Sequence, residues 1–410
     1  MSRETGKATA QLNLRTGTPV WLRHGAIRVP FGALKESIKV DVAVVGAGVT
    51  GALVADALLQ AGKRIAVVDR RGPGRGSTSA STALLQFELD QPLTHLTRKI
   101  GRARAARAYW RSAAAVDYLQ GRVADLRLRC AFKERLTVYL PGNVLGVKGL
   151  RMEAEERAYI GLRSQFIDRD QVRALTTIDC PGAILSSGAG ELDPVALVAG
   201  LWRSALARGA SLYAPVDVVD VHAGRSSVTL NTGDGVEVRA RYVVFATGYE
   251  HVDLVNPKGH KVMSTWAMAT APQPDRLWPS RCLIWQAADP YLYLRTTGEG
   301  RIIVGGEDEG FSDERKRDAL IASKIVAIRR KLGGLLPNVD TRPEFSWAAC
   351  FGASDTGLPS IGAVPGAKRC FAVLGYGGNG ITFSTVAAQL IQRTVVGLRD
   401  PDEDLFAFPG

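Results

Sequence analysis

The sequence predicts a mixed α/β fold in two parts, a parallel-sheet domain opened by a strand–helix–strand unit and a second, α+β domain built on an antiparallel sheet. Three observations predict it. An apolar run at residues 42–45 leads into Gly46-x-Gly48-x-x-Gly51, a helical pattern through Leu59, and a second apolar run, Ile65–Val68, that ends at Asp69. The run Tyr242-Val243-Val244-Phe245 ends in Ala246-Thr247-Gly248, the form of a buried parallel strand whose carboxyl end meets a ligand. Between Lys261 and Gly305, strand-forming runs alternate with turn residues, an antiparallel pattern. At 410 residues the chain is too long for one ordinary core, so two domains are expected.

The opening unit carries a dinucleotide signature. Gly46 permits a tight turn, Gly48 lets backbone N–H groups approach a pyrophosphate, and Gly51 lets helix and strand pack closely. Asp69, roughly 20 residues further on, suits a ribose diol.

Composition narrows the class. No apolar run reaches the roughly 20 residues of a membrane span. The polar N-terminus lacks the apolar core of a secretion signal and carries Glu4, so a cytoplasmic location is expected. Cys130, Cys180, Cys282, Cys350 and Cys370 lie far apart without CxxC or histidine companions, which argues against a metal site or disulfide framework and for buried thiols. The net charge is +12, with basic residues concentrated between Arg98 and Arg135. Apolar residues recur there at helical spacing (Ile100, Ala103, Ala106, Val116), so a solvated basic helix face is expected. The arginines are not interleaved with stacking aromatics, and no nucleic-acid partner is expected.

The remaining elements follow in order. Residues 1–38 read as an extended leader, with Pro19 and Pro30 against any helix. After Arg71, a Gly-Pro-Gly-Arg-Gly loop and the hydroxyl run at 77–82 precede a helical pattern at 83–88. Such a loop suits a phosphate or a polar ring edge, or is an ordinary capped helix start. Residues 97–120 read as a helix and 136–140 as a strand. Asp193-Pro194 supplies an N-cap and first-turn proline for a helix to Arg208. A strand pair follows around 216–221 and 228–230, then strands at 261–269, 282–287, 291–295 and 301–305. An amphipathic helix is predicted over 313–332, the strand Cys370–Leu374, a glycine-rich loop to Gly380, and a helix from Ile381 to about Val396.

This order of motifs resembles the D-amino-acid-oxidase-type (DAO) superfamily of FAD-dependent oxidoreductases, which includes glycine, sarcosine and γ-glutamylputrescine oxidases. The resemblance spans about residues 38–397 and rests on GAGVTG with Asp69, the hydroxyl loop, Ala246-Thr247-Gly248, and GLPSIG with GYGGNGIT. It implies a Rossmann-like FAD-binding domain assembled from residues 39–96, 181–250 and 340–400. Residues 97–180 and 251–339 then form the substrate domain, and 401–410 a tail. By motif it places Gly46, Gly48, Val49, Thr50 and Gly51 at the FAD pyrophosphate and Asp69 with Arg70 at the adenosine ribose. Ser77, Thr78, Ser79 and Thr82 approach the pyrophosphate and flavin, the Val216 backbone meets adenine, and Thr247 and Gly248 lie near the cofactor. Gly377, Gly378, Asn379, Gly380, Ile381 and Thr382 bring a helix N-terminus to the flavin pyrimidine. Negative charge on a reduced flavin gathers there, and a helix dipole stabilises it.

The resemblance further implies hydride transfer from a carbon bearing nitrogen to the flavin, the imine then being hydrolysed. Catalytic candidates are Tyr293, Arg295, Glu307 and Trp347. Alternation puts Tyr291, Tyr293 and Arg295 on one strand face. Arg295 either pairs with a substrate carboxylate or forms a structural salt bridge. A carboxylate at Glu307 or Asp308 either favours a cationic amine or marks an acidic turn, and Trp347 fits an active-site wall or a core equally. The histidines (His24, His95, His222, His251, His260) are scattered and read as structural or exposed. Ile303 stands where sarcosine oxidases carry a lysine beside the flavin, which leaves O2 and other electron acceptors open. Cys350 is about one residue out of register with their covalent flavin attachment, so non-covalent FAD is expected. Thr356 replaces the aspartate that often precedes Gly-Leu-Pro in the family. The readings are oxidation of an amine or amino acid, a hydroxy-acid or polyol dehydrogenase feeding quinone, and a non-catalytic FAD-binding assembly protein.

Overall fold

The computed structural model describes residues 11–23, 25, 28–250, 252–255 and 258–409. Two sheets organise it, one parallel at its centre and one almost entirely antiparallel. In the first, strand Ile38–Val45 lies between Ile65–Val68 and Glu237–Phe245, all parallel. Ser211–Tyr213 extends one side and Cys370–Leu374 the other, again parallel, before Ser360–Ala363 closes that edge antiparallel. A hairpin of Val218–Ala223 and Val228–Thr232 hangs from Glu237–Phe245.

The central strand is a continuous apolar run because both its faces are covered. Val42 and Val44 pack with helices Val49–Gln60, Pro194–Ala207 and Gly380–Val395, whereas Ala43 and Val45 pack with Phe245 and the hairpin valines. Helices Val49–Gln60 and Gly380–Val395, from opposite ends of the chain, lie against each other.

The second sheet runs Arg15–Gly17, Pro343–Ser354, His260–Thr270, Ile302–Glu309, Leu292–Thr296, Leu283–Gln286, Lys133–Leu140, Gly182–Glu191, Leu84–Leu85, with Ser164–Asp168 also on Gly182–Glu191. Leu283–Gln286 and Lys133–Leu140 pair parallel. Helix Ile321–Leu335 covers one face, over Trp266, Met268 and Val304. The other face turns Ala267, Ala269, Ile303, Trp347 and Ala349 into the core shared with the first sheet.

Several expectations are corrected. Residues 83–88 are extended, not helical: Leu84–Leu85 pairs with Gly190 and Glu191. The buried apolar side chains there, Ala83, Leu85, Phe87 and Leu89, recur at every second position, which is a strand period, with the buried polar Gln86 and Glu88 between them. The basic helix splits at Gly101 (φ +85) into Leu93–Ile100 and Arg102–Asp125. The helix expected over 313–332 divides at Leu320 into Glu314–Ala319 and Ile321–Leu335. Strands Gly182–Glu191 and Pro343–Ser354 fall in segments expected in the first domain, yet pair in the second sheet, and the leader contributes its edge strand Arg15–Gly17.

The arginines of Arg102–Asp125 are not merely solvated. Arg104 meets Asp404 at 2.7 Å, Arg107 meets Asp402 at 3.0 Å and Arg111 meets Asp400 at 3.4 Å, so the acidic tail covers this face. All five cysteines are buried and unpaired. Among the described residues no helix is long and apolar enough to cross a membrane.

Candidate functional site

One continuous cavity between the two sheets is lined by residues from both ends of the chain. At its front wall the central strand ends at Gly46 (φ +111), where a Cβ would come within 3.0 Å of the Ala246 backbone. Helix Val49–Gln60 starts without a side-chain cap, and its first N–H, on Val49, donates to the Thr78 hydroxyl at 3.1 Å. Helix N-terminal N–H groups and their dipole favour an anion in front of them.

Asp69 sets the neighbouring turn. Its oxygens accept from the backbone N–H groups of Ala47 (2.7 Å), Arg71 (2.7 Å) and Gly72 (2.6 Å). Burial pushes its carboxyl up and these three bonds pull it back. Arg70 is held by Asp217 (2.7 Å) and Glu250 (3.3 Å), and Arg71 by Glu250 (2.6 Å). Val216 lines the cavity here while its N–H donates to the Asp69 carbonyl at 2.9 Å.

The tail wall mirrors the front. After Cys370–Leu374 the chain turns through Gly375, Tyr376, Gly377 and Gly378 into helix Gly380–Val395. The Gly378 N–H donates to Asp90 at 2.8 Å, and a Cβ on Gly377 would strike the Asp90 carboxylate. Burial pushes the Asp90 carboxyl up. Asn379 donates to the Glu88 carbonyl (2.7 Å) and Thr382 to the Gln86 carbonyl (3.0 Å), so these side chains brace the helix start against segment 86–90.

The far wall is the second sheet. Cross-strand register aligns Tyr139, Trp285, Tyr293, Gly305, Ala267 and Trp347 in one row on one face. Tyr139 stacks on Trp285 at 3.7 Å and 15°, and the Tyr293 ring lies over Gly305, where a Cβ would collide with it. Tyr291, 5.5 Å from Tyr293 between ring centroids, and Thr265 occupy the next row.

Of the sequence-predicted cofactor residues, Gly46, Gly48, Val49, Thr50, Asp69, Arg70, Ser77, Thr78, Thr82, Val216, Thr247, Gly248, Gly377, Gly378, Asn379, Gly380 and Ile381 line this cavity. Gly51, Ser79 and Thr382 do not. Gly51 faces the Gly46 carbonyl, and Ser79 is buried with its hydroxyl donating to the Gly76 carbonyl at 3.3 Å.

Of the catalytic candidates, Tyr293 lines the cavity and three are corrected. Arg295 is buried outside it, donating to the carbonyls of Ala83 (2.8 Å), Leu192 (2.9 Å) and Thr296 (3.0 Å), with Glu191 at 3.5 Å. Burial pulls its guanidinium down to about 10, still protonated at neutral pH. Arg295 is not among the residues lining the cavity, and its Nε and Nη1 bonds tie the hydroxyl loop to the second sheet. Trp347 is buried and donates to the Ala80 carbonyl at 2.9 Å. Glu307 points away, pairing with Lys324 (3.7 Å) and Lys331 of helix Ile321–Leu335.

The cause is a one-residue bulge. Trp266 opposes Gly306, but Ser264 opposes Glu309, so an extra residue is accommodated where Glu307 adopts φ +61. A bulge exchanges the faces of the residues that follow it. Asp308 therefore stands beside Thr265 and Tyr291 on the cavity side. Both its oxygens are buried without completing a hydrogen bond, although those two hydroxyls face it. Burial pushes its carboxyl up to about 6.

Sequence reasoning missed Glu88, Asp90, Thr265, Tyr139 and Trp285 as lining residues. Glu88 sat in the segment read as a helix and Asp90 just beyond it; the others are brought in by long-range strand pairing. Among the histidines, His222 is exposed, His95 is half-buried, and His260 contacts the Ser360 hydroxyl at 2.9 Å; His24 and His251 lie outside the described residues.

The comparisons agree with one another. A family model described as DAO, FAD dependent oxidoreductase, matches residues 41–394. The γ-glutamylputrescine oxidoreductase of Escherichia coli is 23% identical over 379 residues, covering 90% of this chain and 86% of that protein. The crystal structure of glycine oxidase from Geobacillus kaustophilus superposes with a TM-score of 0.73 at 20% identity, over 88% of this chain and 96% of that one. The L-amino acid deaminase from Proteus vulgaris gives 0.74 at 15% identity, over 93% and 99%.

Proposed function

The chain belongs to the DAO family of FAD-dependent oxidoreductases, and from that premise we propose that it oxidises a C–N bond of an amine or amino acid to an imine, which water then hydrolyses. The carrying observation is that the front and tail glycine turns open onto one cavity whose far wall is aromatic. FAD, when bound, supplies the hydride acceptor. The relatives' names support the substrate class, since one is a γ-glutamylputrescine oxidoreductase and another a glycine oxidase.

The chain's own residues have separable roles in this reading. The N–H groups at the start of Val49–Gln60 would hold the diphosphate, with Ser77 and Thr78 beside it. Asp69 would present a ribose-facing edge already fixed by three backbone bonds. The start of Gly380–Val395 would favour negative charge at the flavin pyrimidine. Tyr139, Trp285, Tyr291 and Tyr293 would exclude water and orient the carbon that loses hydride.

Anaerobic addition of amines, amino acids and hydroxy acids, followed by flavin absorbance, tests the proposal. Bleaching by amines or amino acids is expected; bleaching by hydroxy acids alone would replace it with the hydroxy-acid dehydrogenase. Reoxidation with O2 against a quinone then identifies the acceptor, which Ile303, buried away from the cavity, does not assist.

FAD binding is proposed to be non-covalent. Cys350 lines the cavity, but burial pushes its thiol up to about 12, leaving almost no thiolate at neutral pH. After acid precipitation all flavin is expected in the supernatant; yellow colour in the pellet would overturn this.

A further inference from the structure

The two ends of the cavity differ in charge. Among the described residues its lining contains two cations, Arg70 and Arg71, both beside Asp69 and both ion-paired. The other end holds Glu88 and Asp90, with Asp308 behind Thr265 and Tyr291. Arg157, beside Glu88 at 3.7 Å, is fully buried and already bound by Glu153 at 2.8 Å, and Lys324 and Lys331 are paired with Glu307 and Glu309 on the opposite face. Arg295 is committed to backbone carbonyls.

Asp308 is the distinguishing feature. A buried carboxylate that only the Thr265 and Tyr291 hydroxyls face, with no cation among the described residues beside it, is costly until a cation meets it. Tyr291 and Tyr293, tilted 35° to each other beside it, present π-surface that also attracts a cation. A substrate carboxylate has no counterpart here and would face like charges.

We infer that the substrate binds as a cationic amine bearing no carboxylate on the reacting carbon, its ammonium docked on Asp308 against Tyr291 and Tyr293. This rests on the amine-oxidising reading above and selects one branch of it. Asp308 acts as the ammonium anchor and the tyrosines as its walls.

Binding to the FAD-loaded protein, read by calorimetry and by perturbation of the flavin spectrum, tests it with ligands that cannot be oxidised. Butyltrimethylammonium is expected to bind saturably, butyrate not to bind, and Asp308→Asn to weaken the cation at least tenfold while retaining FAD. Asp308→Glu should recover part of the loss. Butyrate binding as tightly as the cation, absence of cation binding, or an unchanged dissociation constant in Asp308→Asn would each overturn the inference. In the anaerobic screen, bleaching by α-amino acids but not by simple amines would reject this inference and leave the proposed reaction standing. Bleaching by neither would reject both.

Discussion

Gly51→Val is expected to give protein that is destabilised by more than about 4 kcal/mol and is recovered without FAD. A Cβ at Gly51 would come within 3.0 Å of the Gly46 carbonyl oxygen, which is backbone and cannot rotate aside. Gly46 cannot yield either. Its own N–H is bonded to the Val68 carbonyl at 2.8 Å, its φ is +111, and the Ala246 backbone closes its other side. Helix Val49–Gln60 must therefore lift from the central strand and carry the anion-binding N–H groups with it. Gly62→Ala is the control, since φ is +69 there but the surrounding space is open. It should cost only about 1–2 kcal/mol and leave the flavin-to-protein ratio intact. Equal melting temperatures and flavin contents in the two variants would contradict this account.

Asp308→Asn should raise the melting temperature of the substrate-free protein at neutral pH, with the gain fading in acid. The Asp308 carboxyl, ordinarily 3.8, is pushed up to about 6 by burial, equivalent to about 3 kcal/mol against its ionised form. A carboxyl raised on folding leaves stability undiminished below its unfolded value, and that stability is lost as pH climbs through the folded value. Wild type and variant should therefore run together near pH 4 and separate between about 4 and 7. The full difference is roughly 3 °C for a chain of this length. Parallel melting curves from pH 4.5 to 8 would show that Asp308 is not held charged in a poorly solvated place. A residue kept at such a cost is better explained by a ligand than by the fold.

How much was legible in the sequence depends on how local each feature is. The front and tail glycine turns were readable because strand, turn and helix are set by neighbouring residues, and both open onto the cavity as separate motifs suggested. Arg295 was placed on the correct strand face, but its partners come from residues 83 and 192, which no spacing reveals. Glu307 and Asp308 were read together as carboxylates after a strand end, with Glu307 taken as the candidate, and neighbouring residues alone do not say which of them faces the cavity. The bulge that reverses the choice arises from fitting Ile302–Glu309 against His260–Thr270, a property of two strands rather than one. The stacked Tyr139 and Trp285 depend likewise on a parallel pairing between distant segments. Segment 83–88 was misread although Leu85, Phe87 and Leu89 carried the two-residue period, because the preceding hydroxyl run imitates a helix cap.

Strand Glu237–Phe245 sits between Ile38–Val45 and Cys370–Leu374, so immediate neighbours in space are drawn from segments far apart in the sequence. A nascent chain therefore leaves the edge of Val243–Phe245 unpaired until Cys370–Leu374 has been synthesised. A stop codon before residue 374 is then expected to abolish the flavoprotein, and recovery of flavin-bound protein from such a truncation would contradict this.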